Sequence, residues 1–525
     1  MKKTVPPVYS RIVPFSFFIL AAFLIYGRTV NYEFVYDDLW RIKNNSALSG
    51  LSNPVRFFLN PETQSSLTHL NTHTYRPLLS FGFALEHLFW GDNPAGYRAL
   101  NIVFHAVNSA LGALCGEVFL GLSPWAGLLA GLFFLVHPLQ AESVVWVVER
   151  SNLIGAMSVL LGLLLWYKYR TGKNLIYLAS TYIILTIGLF YRENSACLPI
   201  AILLTDLFSG NKLHPPNAIT RANSLQFWKK YLGLFFIVGL FLSWRMKVLG
   251  TLSQIGYWGG TFGTNILSIV KTWPHYLAAV LFPGRLSANY SMPIAHGLID
   301  RGVLWGIFLF AAFAASVLGT FRKSRKISFC LALFLLFWLP TSGLIPLETL
   351  YADRFAYLLL VPAGWALGLA FEKLDRTRLN SKALSGIIST VLFLYLGVLT
   401  LKTLRTLPAW RNELSLWENA VSVDPRDSFS WFCLGLEQER ISGALPAEDG
   451  KKWADSALAS YKNALGEKVK PDFAGEVFLK MAKIFLEEGN KPMAEEHASR
   501  ALILRPDLKE EWDLIRQELQ DKSGH

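Results

Sequence analysis

Residues 12–26 read Ile12-Val-Pro-Phe-Ser-Phe-Phe-Ile-Leu-Ala-Ala-Phe-Leu-Ile-Tyr26, and eight positions later comes Phe34-Val-Tyr-Asp-Asp-Leu-Trp-Arg-Ile-Lys43. The first run is apolar enough to enter hydrocarbon and is followed by no small-residue cleavage site of the Ala-x-Ala kind. It is therefore expected to stay in the chain as a first span rather than be removed as a signal peptide. The second stretch sets two adjacent carboxylates at the boundary that this span has just reached. Working outward, runs long enough to cross about 30 Å of hydrocarbon recur near residues 99–120, 124–136, 152–169, 174–191, 195–209, 231–249, 302–321, 327–346, 354–371 and 384–402. That makes about eleven spans. A twelfth apolar stretch, 264–283, contains Lys271, Trp273, Pro274 and His275 and suits an interfacial or re-entrant segment better.

Composition agrees. Of 525 residues, 52% are apolar and only 17% charged, where a soluble protein would carry about 25% charge, and the mean hydropathy is +0.33. The formal charge of +12 is unevenly held: 33 basic against 16 acidic residues up to Thr403, and 17 against 22 from Leu404 onward. A basic excess confined to the apolar part reflects membrane topology, and no nucleic-acid partner is expected. Cys115, Cys197, Cys330 and Cys433 are far apart, so neither a disulfide framework nor a CxxC metal site is encoded.

With eleven spans, every loop on the amino-terminal side is basic: residues 1–11, 168–173, 212–230, 322–326 and 373–382. Lys and Arg concentrate on the cytoplasmic side. The opposite side then receives Glu33, Asp37, Asp38, Glu62, Glu86, Asp92, Glu142, Glu149, Glu193, Asp300, Glu348 and Asp353, together with the C-terminal tail. The expected fold is all-α: a polytopic membrane domain over 1–403 with an external loop at 31–98, followed by an external helical domain over 404–525.

Three segments of that tail end alike, at Pro425, Pro471 and Pro506, each preceded by a helix with an Ala at matching register. This is the second helix of a tetratricopeptide repeat (TPR), and such repeats stack into an α-solenoid with a groove that commonly holds extended peptide. The longer spacing from Pro425 to Pro471 predicts an insertion around Gly443–Gly450 between the paired helices.

Chemistry is expected where acid stands beside base at span ends on one side. Asp37-Asp38 adjoin the first span, and there desolvation and mutual repulsion raise the pKa of at least one carboxyl, as a general base requires. Asp38 also precedes a predicted helix at Leu39 and is expected to cap it, leaving Asp37 the freer base. Glu149-Arg150, Arg192-Glu193 and Asp353-Arg354 repeat the acid–base pattern, and Arg76, Arg98 and Glu142 lie near the same face. Intramembrane arginines need partners or an anionic ligand, and a phosphate suits them. Arg76, Arg150, Arg192 and Arg354 are thus expected to hold a phosphate. His69 and His73, four apart, are the pair that would ligate a metal on a helix, but their Ser/Thr/Asn-rich surroundings argue for a loop and no metal is called for.

These residues resemble the transmembrane and tetratricopeptide-repeat O-mannosyltransferases, a family of type C glycosyltransferases. The matching stretches are Phe34-Val-Tyr-Asp-Asp38, Tyr75-Arg-Pro-Leu78, Tyr97-Arg-Ala-Leu-Asn-Ile-Val-Phe-His105, His137-Pro-Leu-Gln-Ala-Glu142, Arg150-Ser-Asn-Leu153, Arg192-Glu193, Asn289-Tyr-Ser-Met292 and Asp353-Arg-Phe-Ala-Tyr357. The resemblance implies an inverting transfer of a sugar, mannose in the family, from a polyprenyl-phosphate donor to Ser or Thr hydroxyls of exported proteins, with no further cofactor. It makes Asp37 or Asp38 the base, with Glu142, Glu149, Glu193, Asp353, His137, Tyr75 and His105 in support, and the repeats the holder of the acceptor polypeptide. The family has an acid where Asn289 stands. The repeat array is short beside those of animal members and reads as bacterial, which places the site on the periplasmic side of an inner membrane, or the lumenal side of an ER membrane in a eukaryote. On the residues alone two alternatives stay open: the same fold acting on lipid A, a glycan or another envelope lipid, and a non-catalytic membrane scaffold whose repeats recruit a partner.

Overall fold

The computed structural model describes residues 9–51, 53–67, 74–208, 225–251, 255–376, 382–466 and 469–523. His69 and His73 lie outside the described residues, as does most of the basic loop at 212–230. The described residues are helical, with no strand among them. They divide into two compact units, Met1–Leu286 with Met292–Trp410, and Ser287–Ser291 with Arg411–His525.

The first unit is built from α1 (Tyr9–Tyr26), α2 (Pro77–Trp90), α3 (Pro94–Leu120), α4 (Pro124–Val136), α5 (Gln140–Val145), α6 (Arg150–Gly172), α7 (Leu175–Tyr191), α8 (Leu198–Phe208), α9 (Leu225–Leu249), α10 (Phe262–Leu281), α11 (Arg301–Lys323), α12 (Arg325–Trp338), α13 (Leu360–Arg376) and α14 (Lys382–Thr406). Local sequence sets several ends. Pro opens α2, α3 and α4, where its missing N–H costs nothing. Asn93, Ser123 and Asn174 accept the backbone N–H of Ala95, Ala126 and Ile176, and α3 stops at Gly121, whose φ of +60° suits glycine. Five helical stretches are long and apolar enough to cross a membrane: Pro94–Leu120, Val147–Gly172, Trp228–Leu249, Arg301–Lys323 and Ser389–Trp410. Shorter apolar helices cover Phe15–Thr29, Pro124–Val136 and Leu175–Tyr191. The chain is an integral membrane protein. The stretch expected to be interfacial forms α10, a 20-residue helix containing Pro274 and not among those five, and its Lys271 pairs with Asp300 at 2.6 Å.

Two features of this unit position the chemistry. α6 and α7 meet through small residues: a Cβ built on Gly188 would stand 2.1 Å from the Ser158 hydroxyl oxygen and 2.6 Å from that of Ser195. Close approach of this kind is how membrane helices gain packing energy without a hydrophobic drive, and it carries Arg192, just past α7, against the start of α6. The second is a buried polar core. His105 sits between the Tyr357 hydroxyl at 2.9 Å and the Leu135 carbonyl at 3.1 Å, and Asn108 donates to the Leu153 carbonyl at 2.8 Å.

The second unit contains α15 (Glu413–Val423), α16 (Ser428–Ala444), α17 (Ala447–Ala464), α18 (Pro471–Glu487), α19 (Lys491–Leu504) and α20 (Lys509–Ser523). α16 packs on α17, and α18 on α19, as two hairpins. Phe432, Ala457, Tyr461 and Ala464 join Val477, Met481 and Ile484 in one core, and Leu479, Ala482, Ala498 and Ala501 join Trp512 of α20 in the next. The expected insertion near Gly443–Gly450 is not a loop. Leu445-Pro446 makes a tight turn, α17 has 18 residues against 14 in α19, and the rest of the added length lies before Ser428 and after Ala464. Within this unit Asn289 donates to the Asp427 carboxylate at 2.9 Å and the Ser291 N–H to Asp424 at 2.9 Å.

Candidate active site

Among the described residues, Tyr36 and Lys173 are the non-glycine residues with positive φ, and Tyr36, at +57°, directly precedes the Asp pair. A left-handed conformation costs an L-residue roughly 1–2 kcal/mol, and here it turns the chain so that the two carboxylates have different fates. Asp38 is fully buried. Its carboxylate accepts the backbone N–H of Val148 at 2.9 Å, of Val147 at 3.3 Å and of Val35 at 3.5 Å. Burial pushes its carboxyl up to about 7, against the pull of Arg98 and these three amides. The expectation that Asp38 caps a helix at Leu39 is not met: Asp38 already has helical dihedrals, its side chain caps nothing, and Leu39–Lys43 forms a single π-helical turn. Its oxygens serve residues far along the chain instead. Asp37 keeps a side chain 20% exposed and pairs with Arg41 at 3.3 Å, while Arg41 also donates to the Thr74 hydroxyl at 3.2 Å.

By gripping the amides of Val147 and Val148, Asp38 ties the first loop to the turn that carries Trp146 and Glu149. Tyr36 stacks on the Trp146 ring at 5.0 Å, and the Arg354 guanidinium carbon lies 5.3 Å from that ring. Arg354 donates from its side chain to Glu142 at 2.6 Å and from its backbone N–H at 2.7 Å, and stands 3.8 Å from Glu149. Arg192 donates to Glu149 at 2.6 Å and to the Ser151 hydroxyl at 3.0 Å. Glu193, next in the chain, lies 3.7 Å from both Arg76 and Arg245. Four guanidiniums thus gather round Glu142, Glu149 and Glu193, and Arg76 also acts electrostatically on Glu149. Burial raises the Glu142 carboxyl above its ordinary value despite Arg354.

Arg76, Arg192 and Arg354 therefore come together as the pattern of span-end pairs suggested. Arg150 does not. Its guanidinium is buried, pairs with Glu86, donates to the Tyr97 carbonyl and gives its Nε–H to Asn101 at 2.8 Å. Arg150 begins α6 one residue after Glu149, so its side chain leaves in another direction. Tyr75 donates its hydroxyl to the Phe58 carbonyl and accepts from the Trp244 indole, both at 2.8 Å. Its place is beneath the arginine cluster. His137 ends α4 and pins α10, one ring nitrogen accepting from Leu139 and the other donating to the Val280 carbonyl at 3.1 Å. His105 belongs to the polar core described above, and the buried Asp353 accepts from the Tyr351 hydroxyl at 3.3 Å.

Arg245 is the residue that sequence reasoning passed over. It stands in the apolar run of α9, and an arginine inside such a run was the signal available. Among the described residues no group of three His, Cys, Asp or Glu side chains is arranged to hold a metal ion.

No family model matches this chain. It is similar to Protein O-mannosyl-transferase tmtc2 of Xenopus laevis, 32% identical over 245 residues covering 45% of this chain and 28% of that protein. It is also similar to Protein O-mannosyl-transferase TMTC3 of Homo sapiens, at 26% over 449 residues covering 78% and 47%. Protein O-mannosyl-transferase TMTC4 of Homo sapiens matches at 25% over 495 residues covering 82% and 64%. The chain thus spans between 28% and 64% of the length of these relatives.

Proposed function

We propose that this chain, a homologue of the transmembrane and tetratricopeptide-repeat protein O-mannosyl-transferases, transfers mannose from a polyprenyl-phosphate donor to Ser or Thr hydroxyls of polypeptides. The reaction takes place at the periplasmic or lumenal membrane surface with inversion at the sugar. Asp37 takes the proton from the acceptor hydroxyl, whose oxygen attacks the anomeric carbon. The bond from that carbon to the phosphate oxygen breaks, and the polyprenyl phosphate leaves with the bonding pair. Since the leaving group is already activated, the protein must supply only a base and charge to meet the departing phosphate.

The observation that carries this reading is the pairing of a partly exposed carboxylate with a cluster of arginines. Of the two adjacent aspartates, Asp37 has the side chain 20% exposed and Asp38 is fully buried, and Tyr36 and Trp146 link Asp37 to the Arg354, Arg192 and Arg76 cluster. Asp38 positions it by holding the turn at Val147-Val148. A polypeptide acceptor is supported by the repeat hairpins and by a cavity of about 340 Å³ in the second unit, lined by Leu502, Ile503 and Trp512 with Glu495 and Arg516 at its edge.

The test is transfer by the purified chain from a polyprenyl phosphate mannose to a Ser/Thr-rich peptide. Product with this donor and none with a nucleotide-linked mannose is expected. Product on lipid A or a glycan but not on peptide would move the acceptor to another class, and loss of no cellular phenotype in Asp37→Asn would favour a scaffold.

A further inference from the structure

The three glutamates of the arginine cluster are not held alike. Glu142 and Glu149 are 3% exposed and each receives a guanidinium N–H at 2.6 Å. Glu193 is 32% exposed, and its two oxygens lie 3.7 Å from the Nε of Arg76 on one side and the Nε of Arg245 on the other. That separation is an ion pair without a hydrogen bond. The Arg76 Nε is buried and has no hydrogen-bond partner. Two guanidiniums brought from different elements, the end of the first loop and α9, thus flank one loosely held carboxylate that has a route to water.

We propose that Glu193 is a resident anion standing where the donor's phosphate binds between Arg76 and Arg245, and that donor binding displaces it toward water. This rests on the polyprenyl-phosphate reading above. The exchange conserves charge, since a phosphodiester bears one negative charge as Glu193 does. It also improves geometry, because phosphate oxygens can meet a guanidinium edge at hydrogen-bond distance where the short glutamate tether cannot. Although burial alone would raise the Glu193 carboxyl, Arg76 and Arg245 hold it below the ordinary carboxylate range, so at neutral pH it is an anion that competes with the donor. Until the donor arrives, the carboxylate spares the arginines an uncompensated charge at the membrane boundary. Arg245 is by the same geometry a phosphate ligand.

The experiment titrates the purified full chain with farnesyl phosphate, following tryptophan fluorescence, and repeats it for Glu193→Gln, Glu193→Ala, Arg245→Ala, Arg245→Lys and the loop control Glu62→Gln. Removing the competitor should tighten binding about three- to tenfold in both Glu193 variants, the effect expected of one half-exposed ion pair. Arg245→Ala should weaken it by about tenfold or more, with partial recovery in Arg245→Lys. Glu62→Gln should leave it unchanged. Unchanged or weaker binding in a folded Glu193→Gln or Glu193→Ala overturns the exchange while leaving the donor reading in place, as does equal tightening by Glu62→Gln. Failure of the wild-type chain to bind farnesyl phosphate contradicts both.

Discussion

The Asp38 carboxylate accepts the Val148 backbone N–H at 2.9 Å across 110 positions of sequence. Both of its oxygens are used, the other by Val147 and Val35, and this fixes where Asp37 and Tyr36 stand relative to Trp146. Asp38→Asn keeps the size but offers one oxygen for what two now accept. A loss of about 1–3 kcal/mol in unfolding free energy is expected, read as a lower thermal midpoint in detergent. If the midpoint is unchanged, the latch has no energetic weight.

The same carboxyl predicts a pH dependence. Burial lifts it from an ordinary 3.8 to about 7, so the folded chain keeps a proton that the unfolded chain gives up. This contribution to stability is present in full below pH 3.8 and is lost as the pH rises through about 7. Thermal midpoints measured from pH 4.5 to 7.5 should fall with pH in the wild type more steeply than in Asp38→Asn. A steeper fall in the variant would reverse the assignment.

Glu149 and Arg76 should separate stability from ligand binding. Glu149→Gln leaves the buried Arg192 without its 2.6 Å partner, and breaking a buried pair from one side costs about 3–5 kcal/mol. Arg76, whose ion pair with Glu193 is at 3.7 Å, should in Arg76→Ala change the thermal midpoint little while weakening isoprenyl phosphate binding. Equal destabilisation in the two variants would mean that Arg76 is a structural residue.

Helix approach is tested at Gly188. A Cβ there would clash with Ser158 and Ser195, so Gly188→Ala should cost about 1–3 kcal/mol, and adding Ser158→Ala should restore part of it. In the repeat unit Gly435→Ala should act likewise, because its Cβ would stand 2.5 Å from the Tyr461 ring, which is fully buried and hydrogen-bonded to Glu439 at 2.6 Å. Additive effects of Gly188→Ala and Ser158→Ala would show that the helices do not meet there.

Much of this was legible in sequence because it rests on local pattern. Apolar run length marked helices of the membrane part, five of which are long and apolar enough to cross, the recurring Ala and terminal Pro marked the repeats, and acid beside base at span ends marked Arg192, Arg354 and Glu149. What escaped depends on direction in space. Arg150 and Arg192 look alike as span-end arginines, yet one faces Glu86 and Asn101 and the other Glu149. Asp38 resembled a helix cap because a cap is a local relationship, whereas its partners are backbone amides of a distant turn. Arg245 lay inside an apolar run, where only its charge marked it. The longer first repeat was expected to carry an insertion between its paired helices, whereas the added length lies in α17 and in the segments that flank the hairpin, which spacing between prolines does not distinguish.

The most direct test of the central claim compares Asp37→Asn with the wild type in two assays on the same preparation: turnover of polyprenyl phosphate mannose with a Ser/Thr peptide, and equilibrium binding of farnesyl phosphate. Loss of the general base should lower turnover by about 10²- to 10⁴-fold, with the thermal midpoint unchanged and the farnesyl phosphate affinity within twofold of the wild type, a margin of about 0.4 kcal/mol. Turnover at the wild-type rate in Asp37→Asn would contradict the account.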